Sequence, residues 1–209
     1  ADWQKADPAL GVNKWSTFLG DELPPVIDAA YNTNGRNAIA GISSSGTSVL
    51  NLAIAHPNRY EAVGSYSGCA GVADPIGQWN VRLVVEGRGQ ADAENMWGPY
   101  GGAGWRANDP VINAAKLRGT KLYISSSTGL PGEFDTPQHE QVGVGLADQI
   151  VLGGGIEAMT YVCTRQLVDR LAELRIPATV DLRPTGSHSW LYWQEQLHKS
   201  WPFFESALS

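Results

Sequence analysis

Four short apolar runs recur along the chain, and segments with helical spacing separate most of them. The runs at 35–42, 62–67, 120–126 and 177–183 have the length and residue types of β-strands. Helical spacing of apolar positions occupies 15–30, 50–57 and 156–174, and a last helix is predicted from residue 189 to about residue 197. Strands that alternate with helices favour a parallel sheet whose crossover helices cover its faces. The pattern therefore predicts an α/β protein.

Two segments, at about 76–116 and 129–153, break this alternation because their apolar positions show little periodicity. We expect a single domain over residues 1–209 in which both segments are insertions beside the sheet, where substrate pockets are usually built. A sheet of this class normally has several strands before the one at 35–42, yet only one helical pattern precedes it here. The sequence thus predicts the C-terminal portion of such a domain, without its N-terminal strands.

The overall composition argues against several classes of protein. A formal net charge of −6 and the lack of a basic stripe argue against a nucleic-acid partner. The longest apolar stretches have the length of strands, which is too short for a bilayer span. The two cysteines, Cys69 and Cys163, lack the spacing of a metal site, so we predict no metal and no cofactor. From spacing alone they are either one disulfide or two buried thiols.

The clearest candidate for chemistry is Ser43, which stands where the apolar run NAIAGI (37–42) turns into the helical pattern at 47–55. In α/β-hydrolases a strand–turn–helix of this kind lifts a serine Oγ above the sheet, and Gly41 and Ser45 are the small neighbours that such a strained turn needs. The helix that follows points free N–H groups at the serine, so the backbone N–H of Ser44 is a candidate oxyanion donor. A simple helix N-cap is the alternative interpretation of Ser43.

A serine nucleophile needs a base and an acid that orients the base. Of the four histidines, His188 lies in a loop between the strand at 177–183 and the last helix, where a hydrolase base belongs; a surface histidine is the alternative. The chain order Ser…acid…His restricts the acid to carboxylates between residues 126 and 177. Glu157 follows three glycines at the first turn of a helix, but the residues alone do not separate it from the other candidates, Glu133, Asp135, Glu140 and Asp148.

Several longer motifs run in order through nearly the whole chain. They are KWSTFL at 14–19, LAIAHP at 52–57, GSYSG at 64–68, MWGP at 96–99, NDP at 108–110, and GSHSW at 186–190 followed by YW at 192–193. With these motifs the sequence resembles the trehalose mycolyltransferases, the antigen-85-type enzymes of mycobacteria and their corynebacterial counterparts. The MWGP and HSWxYW elements are far more specific than the turn around residue 43.

The resemblance implies an α/β-hydrolase fold with a triad in which Ser43 is the nucleophile, Glu157 the acid and His188 the base. It also implies an acyltransferase that moves a mycolyl or corynomycolyl chain from trehalose monomycolate through an acyl-serine. The acceptor is a second trehalose monomycolate, arabinogalactan or a protein hydroxyl. The early strands of the family supply a second oxyanion donor and residues that grip trehalose, so the protein's own N-terminal segment is an expected partner.

Further expectations depend on the same resemblance. Trp190, Ser189 and Trp97 are expected to bind substrate, with core packing as the alternative for Trp97. Family members act outside the plasma membrane, so we expect a secreted protein of the cell envelope. In that compartment a disulfide between Cys69 and Cys163 is favoured over two thiols, and it would hold the acid's helix near the nucleophile.

Two other functions remain open to a chain of this sequence. A carboxylesterase of the same fold would use water as its main acceptor. A surface antigen or binding module would keep the hydrolase fold but would catalyse no reaction. Because all three triad residue types stand at fitting positions, an enzyme is favoured.

Overall fold

The computed structural model describes residues 2–141 and 143–209. Within these residues, four strands form one sheet in chain order: β1 (Ala38–Ile42), β2 (Ala62–Tyr66), β3 (Lys121–Ser127) and β4 (Thr179–Arg183). Every neighbouring pair is parallel. This confirms the predicted α/β fold, and each strand lies within three residues of its predicted bounds.

Helices cover both faces of the sheet. In chain order they are α1 (Trp15–Thr17), α2 (Leu23–Tyr31), α3 (Ser44–Ala55), α4 (Pro75–Arg82), α5 (Ala93–Trp97), α6 (Ala103–Ala107), α7 (Leu146–Asp148), α8 (Gly154–Glu173) and α9 (Trp190–Leu208). Turns of π-helix occupy Phe18–Glu22, Leu83–Arg88 and Gln149–Gly153, and 3₁₀ turns occupy Ala114–Leu117 and Pro137–His139. None of the helices in the described part of the chain has both the length and the apolar character that a membrane span needs.

Successive side chains of β2 and β3 point to opposite faces of the sheet, and both faces are apolar. Val63, Leu122 and Ile124 pack with the buried side chains of α3 and α8. Tyr66 and Tyr123 point the other way and pack against α9. Strands buried on both faces read as nearly continuous apolar runs, which is why both were visible in the sequence. The same burial fixes their register, since a slip of one residue would exchange the two faces.

β1 lies at one edge of the sheet. The N–H of its last residue, Ile42, donates to Ser45 Oγ (2.9 Å). Successive residues of a strand point their backbone groups to opposite sides, so Ala38 and Ala40 share the direction of Ile42. Two grooves, of about 500 and 480 Å³, run along this edge against α9. In the described residues, no strand pairs with this side of β1.

The predicted insertion at about 76–116 packs around a small core of its own. That core joins the N-terminal segment to α5 and α6 through Trp3, Val72, Met96, Trp97 and Trp105. Trp97 and Trp105 meet edge to face with their ring centroids 5.1 Å apart, a favourable geometry for two aromatic rings.

The Asp7 carboxylate fastens the N-terminal segment to the start of α5. It accepts hydrogen bonds from the N–H of Asp92 (2.9 Å) and the Asn95 side chain (2.9 Å), and from the N–H groups of Ala9 (2.8 Å) and Leu10 (3.1 Å). The hydrogen bonds from these donors, of which the bond from Asp92 contributes most, stabilise the ionised carboxylate of Asp7 more than its burial destabilises it. They hold the pKa of Asp7 at about 2.

Two helices differ from their predicted extents. The helix expected at 15–30 is divided into α1, a π turn and α2, and Pro24 stands in the first turn of α2, where a missing N–H is tolerated. The last helix, α9, continues to Leu208 instead of ending near residue 197, although Pro202 lies inside it. A proline usually ends or kinks a helix, and here the helix continues through it.

Candidate active site

Ser43 occupies the turn between β1 and α3. Its backbone has φ 53° and ψ −130°, a conformation that residues with a side chain rarely adopt. Small neighbours make the turn possible: a Cβ on Gly41 would lie 2.4 Å from the Ser45 carbonyl oxygen, and one on Gly46 would lie 2.9 Å from Ser65 Oγ. The strained strand–turn–helix that the sequence predicts around Ser43 is therefore present in the structure.

His188 lies in the loop between β4 and α9, with its Nε2 2.8 Å from Ser43 Oγ. The loop is fastened by its own backbone, because the N–H of His188 donates to the carbonyl of Gly153 (3.1 Å). The edge of the His188 ring also meets Trp193 of α9, with centroids 4.8 Å apart and planes nearly perpendicular. The contact with the Trp193 ring and the backbone hydrogen bond to Gly153 thus both hold His188 in place.

Glu157, in the first turn of α8, is fully buried and lies behind the histidine. Its Oε2 is 2.7 Å from His188 Nδ1. Its Oε1 accepts three hydrogen bonds, from Ser67 Oγ (2.8 Å), Ser126 Oγ (2.9 Å) and the N–H of Ser127 (2.7 Å). A buried carboxylate needs such partners, because desolvation would otherwise make its charge very unfavourable.

The sequence analysis missed this group of donors around Glu157. Ser67 follows β2, whereas Ser126 and Ser127 are the last residues of β3. Trp193 Nε1 in turn donates to Ser67 Oγ (3.1 Å), which links α9 to the same group. Their only signal in the sequence is a run of serines at the carboxyl ends of two predicted strands.

The other candidate residues lie elsewhere. His56 contacts Asp21 and Ser16 at the opposite end of α3 from the nucleophile, His139 contacts Thr136, and His198 is exposed on α9. Among the alternative acids, Glu133, Glu140 and Asp148 are exposed. Asp135 is buried but contacts Ser187 and Tyr192, not the His188 ring. The structure therefore brings together Ser43, His188 and Glu157 and none of these alternatives.

A cavity of about 470 Å³ opens beside the first residue of α3. Ser44, the first residue of α3, forms part of its wall, and the wall is otherwise mainly apolar, including Leu52, Val84, Met96 and Trp97. Trp97, which was expected to bind substrate, both lines this cavity and packs in the core around Trp105, so its contact with substrate stays a prediction. The Trp97 Nε1 has no hydrogen-bond partner among the described residues.

The two remaining predicted substrate residues differ from each other. Trp190 is 64% exposed at the start of α9 and forms one end of the 480 Å³ groove beside β1. Ser189 is buried, with its hydroxyl oxygen 3.2 Å from Ser187 Oγ. The hydroxyl of Ser189 therefore lies within the loop, and its contact with substrate stays a prediction.

Cys69 and Cys163 are joined by a disulfide that connects the loop after β2 to α8. Cys69 follows Ser67 by two residues, and Cys163 lies on the helix that begins near Glu157. The bond therefore links the two elements that meet in the hydrogen bond between Ser67 and Glu157. Within residues 2–141 and 143–209, no cluster of three or more His, Cys, Asp or Glu side chains is arranged to hold a metal ion.

The arrangement supports one kind of chemistry in particular. The hydroxyl of Ser43, the imidazole of His188 and the carboxylate of Glu157 form a continuous chain of hydrogen bonds. Such a chain lets the imidazole take the hydroxyl proton while the carboxylate stabilises the imidazolium that forms. Because Ser44 begins α3, its free N–H belongs to the helix end that stabilises negative charge.

Comparison with known proteins places these features in a family. Over its full length the chain is 28% identical to the "Diacylglycerol acyltransferase/mycolyltransferase Ag85A" of Mycobacterium tuberculosis H37Rv. It is 30% identical to the Ag85B of Mycobacterium intracellulare. It spans only 60% and 62% of the length of these two curated relatives.

Solved structures agree on the fold. The crystal structure of Mycobacterium tuberculosis MPT51 (FbpC1) matches with a TM-score of 0.79 at 21% identity, over 99% of this chain and 72% of that one. An S-formylglutathione hydrolase from Agrobacterium tumefaciens matches with a TM-score of 0.67 at 15% identity, over 100% of this chain and 62% of that one. A family model described as "Putative esterase" matches residues 4–204. The chain therefore belongs to this esterase family, with an α/β-hydrolase fold and the resemblance to the Ag85-type mycolyltransferases confirmed.

Proposed function

We propose that this chain carries the catalytic centre of a serine acyltransferase that moves a mycolyl chain between hydroxyl groups. The observation that carries the proposal is the unbroken hydrogen-bond chain from Ser43 Oγ through His188 to the buried Glu157. The curated relatives, named as diacylglycerol acyltransferases and mycolyltransferases, support the choice of reaction.

In the first half of the proposed reaction, Ser43 attacks the ester carbonyl of a trehalose monomycolate. His188 Nε2 takes the hydroxyl proton as the new C–O bond forms, and the backbone N–H of Ser44 stabilises the oxyanion. The tetrahedral intermediate then expels trehalose, which receives the proton from His188. The enzyme is left with the acyl chain esterified to Ser43.

In the second half, His188 takes a proton from an acceptor hydroxyl, which attacks the acyl-enzyme. The acceptor in this proposal is a second trehalose monomycolate, arabinogalactan or a protein hydroxyl. Ser43 leaves and regains its proton from His188, so the net reaction exchanges one ester for another. Glu157 orients the imidazole in both halves.

Two features near Ser43 support a lipid donor and a sugar acceptor. The mainly apolar cavity of about 470 Å³ beside Ser44 suits an aliphatic chain, and Trp97 forms part of its wall. The exposed indole of Trp190 offers a flat apolar surface on which a sugar ring can stack. A sugar held there would be favoured over water at the acyl-enzyme, because positioning raises its effective concentration.

The open edge of β1 supports a further part of the proposal. Ala38 and Ala40 point backbone groups outward there, beside two grooves against α9. We propose that a strand from another segment of the same protein pairs with this edge and supplies the second oxyanion donor near Ser43. The relatives have the necessary length, since this chain covers only 60% of it. Action outside the plasma membrane, in the cell envelope, belongs to the same proposal.

A carboxylesterase is the second candidate, because the family is one of esterases and hydrolases share its fold. The triad is the same in both cases, and the difference lies in which acceptor reaches the acyl-enzyme. Added trehalose separates them: a transferase forms a new ester in proportion to the sugar, whereas an esterase releases free acid at an unchanged rate.

The decisive experiment is the intact mass of the protein after incubation with trehalose monocorynomycolate, with Ser43→Ala as the control. An acyl adduct on the protein that is absent from the Ser43→Ala variant supports the proposal. A fluorophosphonate adduct on Ser43 without any acyl adduct would leave a hydrolase that does not accept the glycolipid. The absence of both adducts would overturn a catalytic role and favour a binding module.

A further inference from the structure

A second buried carboxylate, Asp135, lies in the segment between β3 and α8 and takes no part in the mechanism above. It is 7% exposed. Its Oδ1 accepts hydrogen bonds from Ser187 Oγ and from Gln149 Nε2 (3.0 Å). Its Oδ2 accepts from the N–H of Gly132 (2.8 Å) and from the hydroxyl of Tyr192 (2.8 Å). Four donors therefore surround one carboxylate.

These four donors come from different parts of the active site. Ser187 immediately precedes His188 in the catalytic loop, and Tyr192 lies in the first turn of α9. Gln149 begins the π turn that runs directly into α8, the helix that carries Glu157. The carboxylate thus joins the loop of the base to the two helices on either side of it.

We propose that Asp135 is a positioning residue that holds the His188 loop in the geometry needed for proton transfer. This inference rests on the function proposed above for Ser43 and His188. Asp135 does not touch the imidazole and acts through Ser187 and Tyr192. Asp135 adds to the backbone bonds that also hold this loop, from His188 N–H to the Gly153 carbonyl and from Gly186 N–H to the Leu130 carbonyl.

The ionised form of Asp135 suits this task. Burial raises the pKa of this carboxyl, but the hydrogen bonds from Ser187, Gln149, Gly132 and Tyr192 outweigh that effect and leave the pKa below its usual value. A carboxylate has acceptor sites for all four donors. Hydrogen bonds to a charged group are stronger than those between neutral groups, so this contact is well suited to hold a loop.

Asparagine at this position makes a sharp test because it has nearly the same shape. The N–H of Gly132 faces one oxygen and cannot reverse. The Gln149 amide faces the other oxygen, and a flip of that amide would break its hydrogen bonds to the Phe134 carbonyl (3.0 Å) and from the Gln141 N–H (3.1 Å).

In Asp135→Asn one of these two donors therefore meets an NH₂ group, whichever way the new side chain turns. Relief of this contact displaces the side chain at residue 135, and with it the hydrogen bonds to Ser187 and Tyr192 that hold the His188 loop.

The expected result in Asp135→Asn is a fall in kcat of about 10–100-fold with KM changed by less than about threefold, since a displacement of about 1 Å has effects of this size. The substrate is a soluble 4-nitrophenyl ester, and kcat is expressed per site titrated with a fluorophosphonate. Glu133→Gln is the matched control, because that carboxylate lies two residues away and is exposed. Its kcat is expected to stay within about twofold of the parent.

A merely structural role would give a different result. It would lower the number of titratable sites and leave kcat per site unchanged, and that outcome overturns the proposal. An independent readout is the NMR signal of the His188 Nδ1 proton, assigned by its loss in His188→Gln. We expect it to shift or broaden in Asp135→Asn and to be retained in Glu133→Gln; an unaltered signal also overturns the proposal.

Two milder variants cover the case in which Asp135→Asn does not fold. Ser187→Ala and Tyr192→Phe each remove one donor and leave the carboxylate in place, and each is expected to lower kcat about 3–10-fold per titrated site. Unchanged kcat in both would refute the role of Asp135. The proposed function fails separately, since Ser43→Ala would then retain ester turnover.

Discussion

Replacement of Glu157 by glutamine tests the catalytic geometry most directly. The backbone N–H of Ser127 donates to Oε1 at 2.7 Å and cannot reverse, and the hydroxyls of Ser67 and Ser126 donate to the same oxygen. The glutamine must therefore place its oxygen at that position. Its NH₂ group then occupies the position of Oε2, which lies 2.7 Å from His188 Nδ1.

An NH₂ group at that distance imposes the wrong tautomer on the imidazole. Because the NH₂ can only donate, Nδ1 of His188 must be unprotonated and the ring proton moves to Nε2. Nε2 faces Ser43 Oγ at 2.8 Å and can no longer accept the serine proton. For a wrong tautomer in a catalytic triad the loss in kcat is about 10⁴-fold, or about 5.4 kcal/mol.

The assay is turnover of a 4-nitrophenyl ester per folded molecule, with Glu173→Gln as the control. Glu173 stands at the end of the same helix, with its side chain 65% exposed and paired with Arg170. The control is expected to keep its activity within about twofold. A loss of less than about tenfold in Glu157→Gln, with normal thermal unfolding, would refute the assignment of this glutamate as the acid.

Three further predictions concern other parts of the molecule. Removal of the disulfide by Cys69→Ala with Cys163→Ala should lower the free energy of unfolding by about 2–5 kcal/mol in urea titrations, since the bond spans 94 residues; an unchanged value would contradict it. Trp190→Ala should raise KM for a sugar acceptor about fivefold, from about 1 kcal/mol of lost contact, while acylation by a soluble ester changes little; equal effects on both steps would argue against stacking. Asp7 has its pKa lowered to about 2, so its stabilising effect is present above about pH 3.8 and is lost as pH falls toward 2. Amide exchange of the N-terminal segment should accelerate across that range, but not in Asp7→Asn.

The sequence predicted those features that depend on local pattern. The strands appeared as apolar runs because β2 and β3 are buried on both faces. The turn at Ser43 was visible because its small neighbours, Gly41 and Ser45, leave room for a strained residue between them, and Gly46 adds to this in the structure. The choice of His188 as the histidine nearest Ser43 was possible because a hydrolase base follows a strand in chain order.

What the sequence did not predict depends on contacts between distant segments. Ser67 and Ser126 reach Glu157 only because β2 and β3 lie side by side in one register, with Tyr66 opposite Ser125. The burial of Ser189 was not predicted, because nothing in the motif shows on which side of the loop its hydroxyl lies. Asp135 was considered only as a candidate acid, because its four donors are brought together by folding.

The backbone at Ser43 has a consequence for how this protein can evolve. A side chain at φ 53° and ψ −130° costs about 1–3 kcal/mol, which glycine would relieve. The greater freedom of an unfolded glycine would offset about 0.5–1 kcal/mol of that relief. Selection for stability alone would therefore favour glycine at residue 43, and Ser67, with φ 52° beside Glu157, is under similar pressure. Under the proposed function, selection for the reaction keeps Ser43 in this conformation, and the hydrogen bond to Glu157 keeps Ser67.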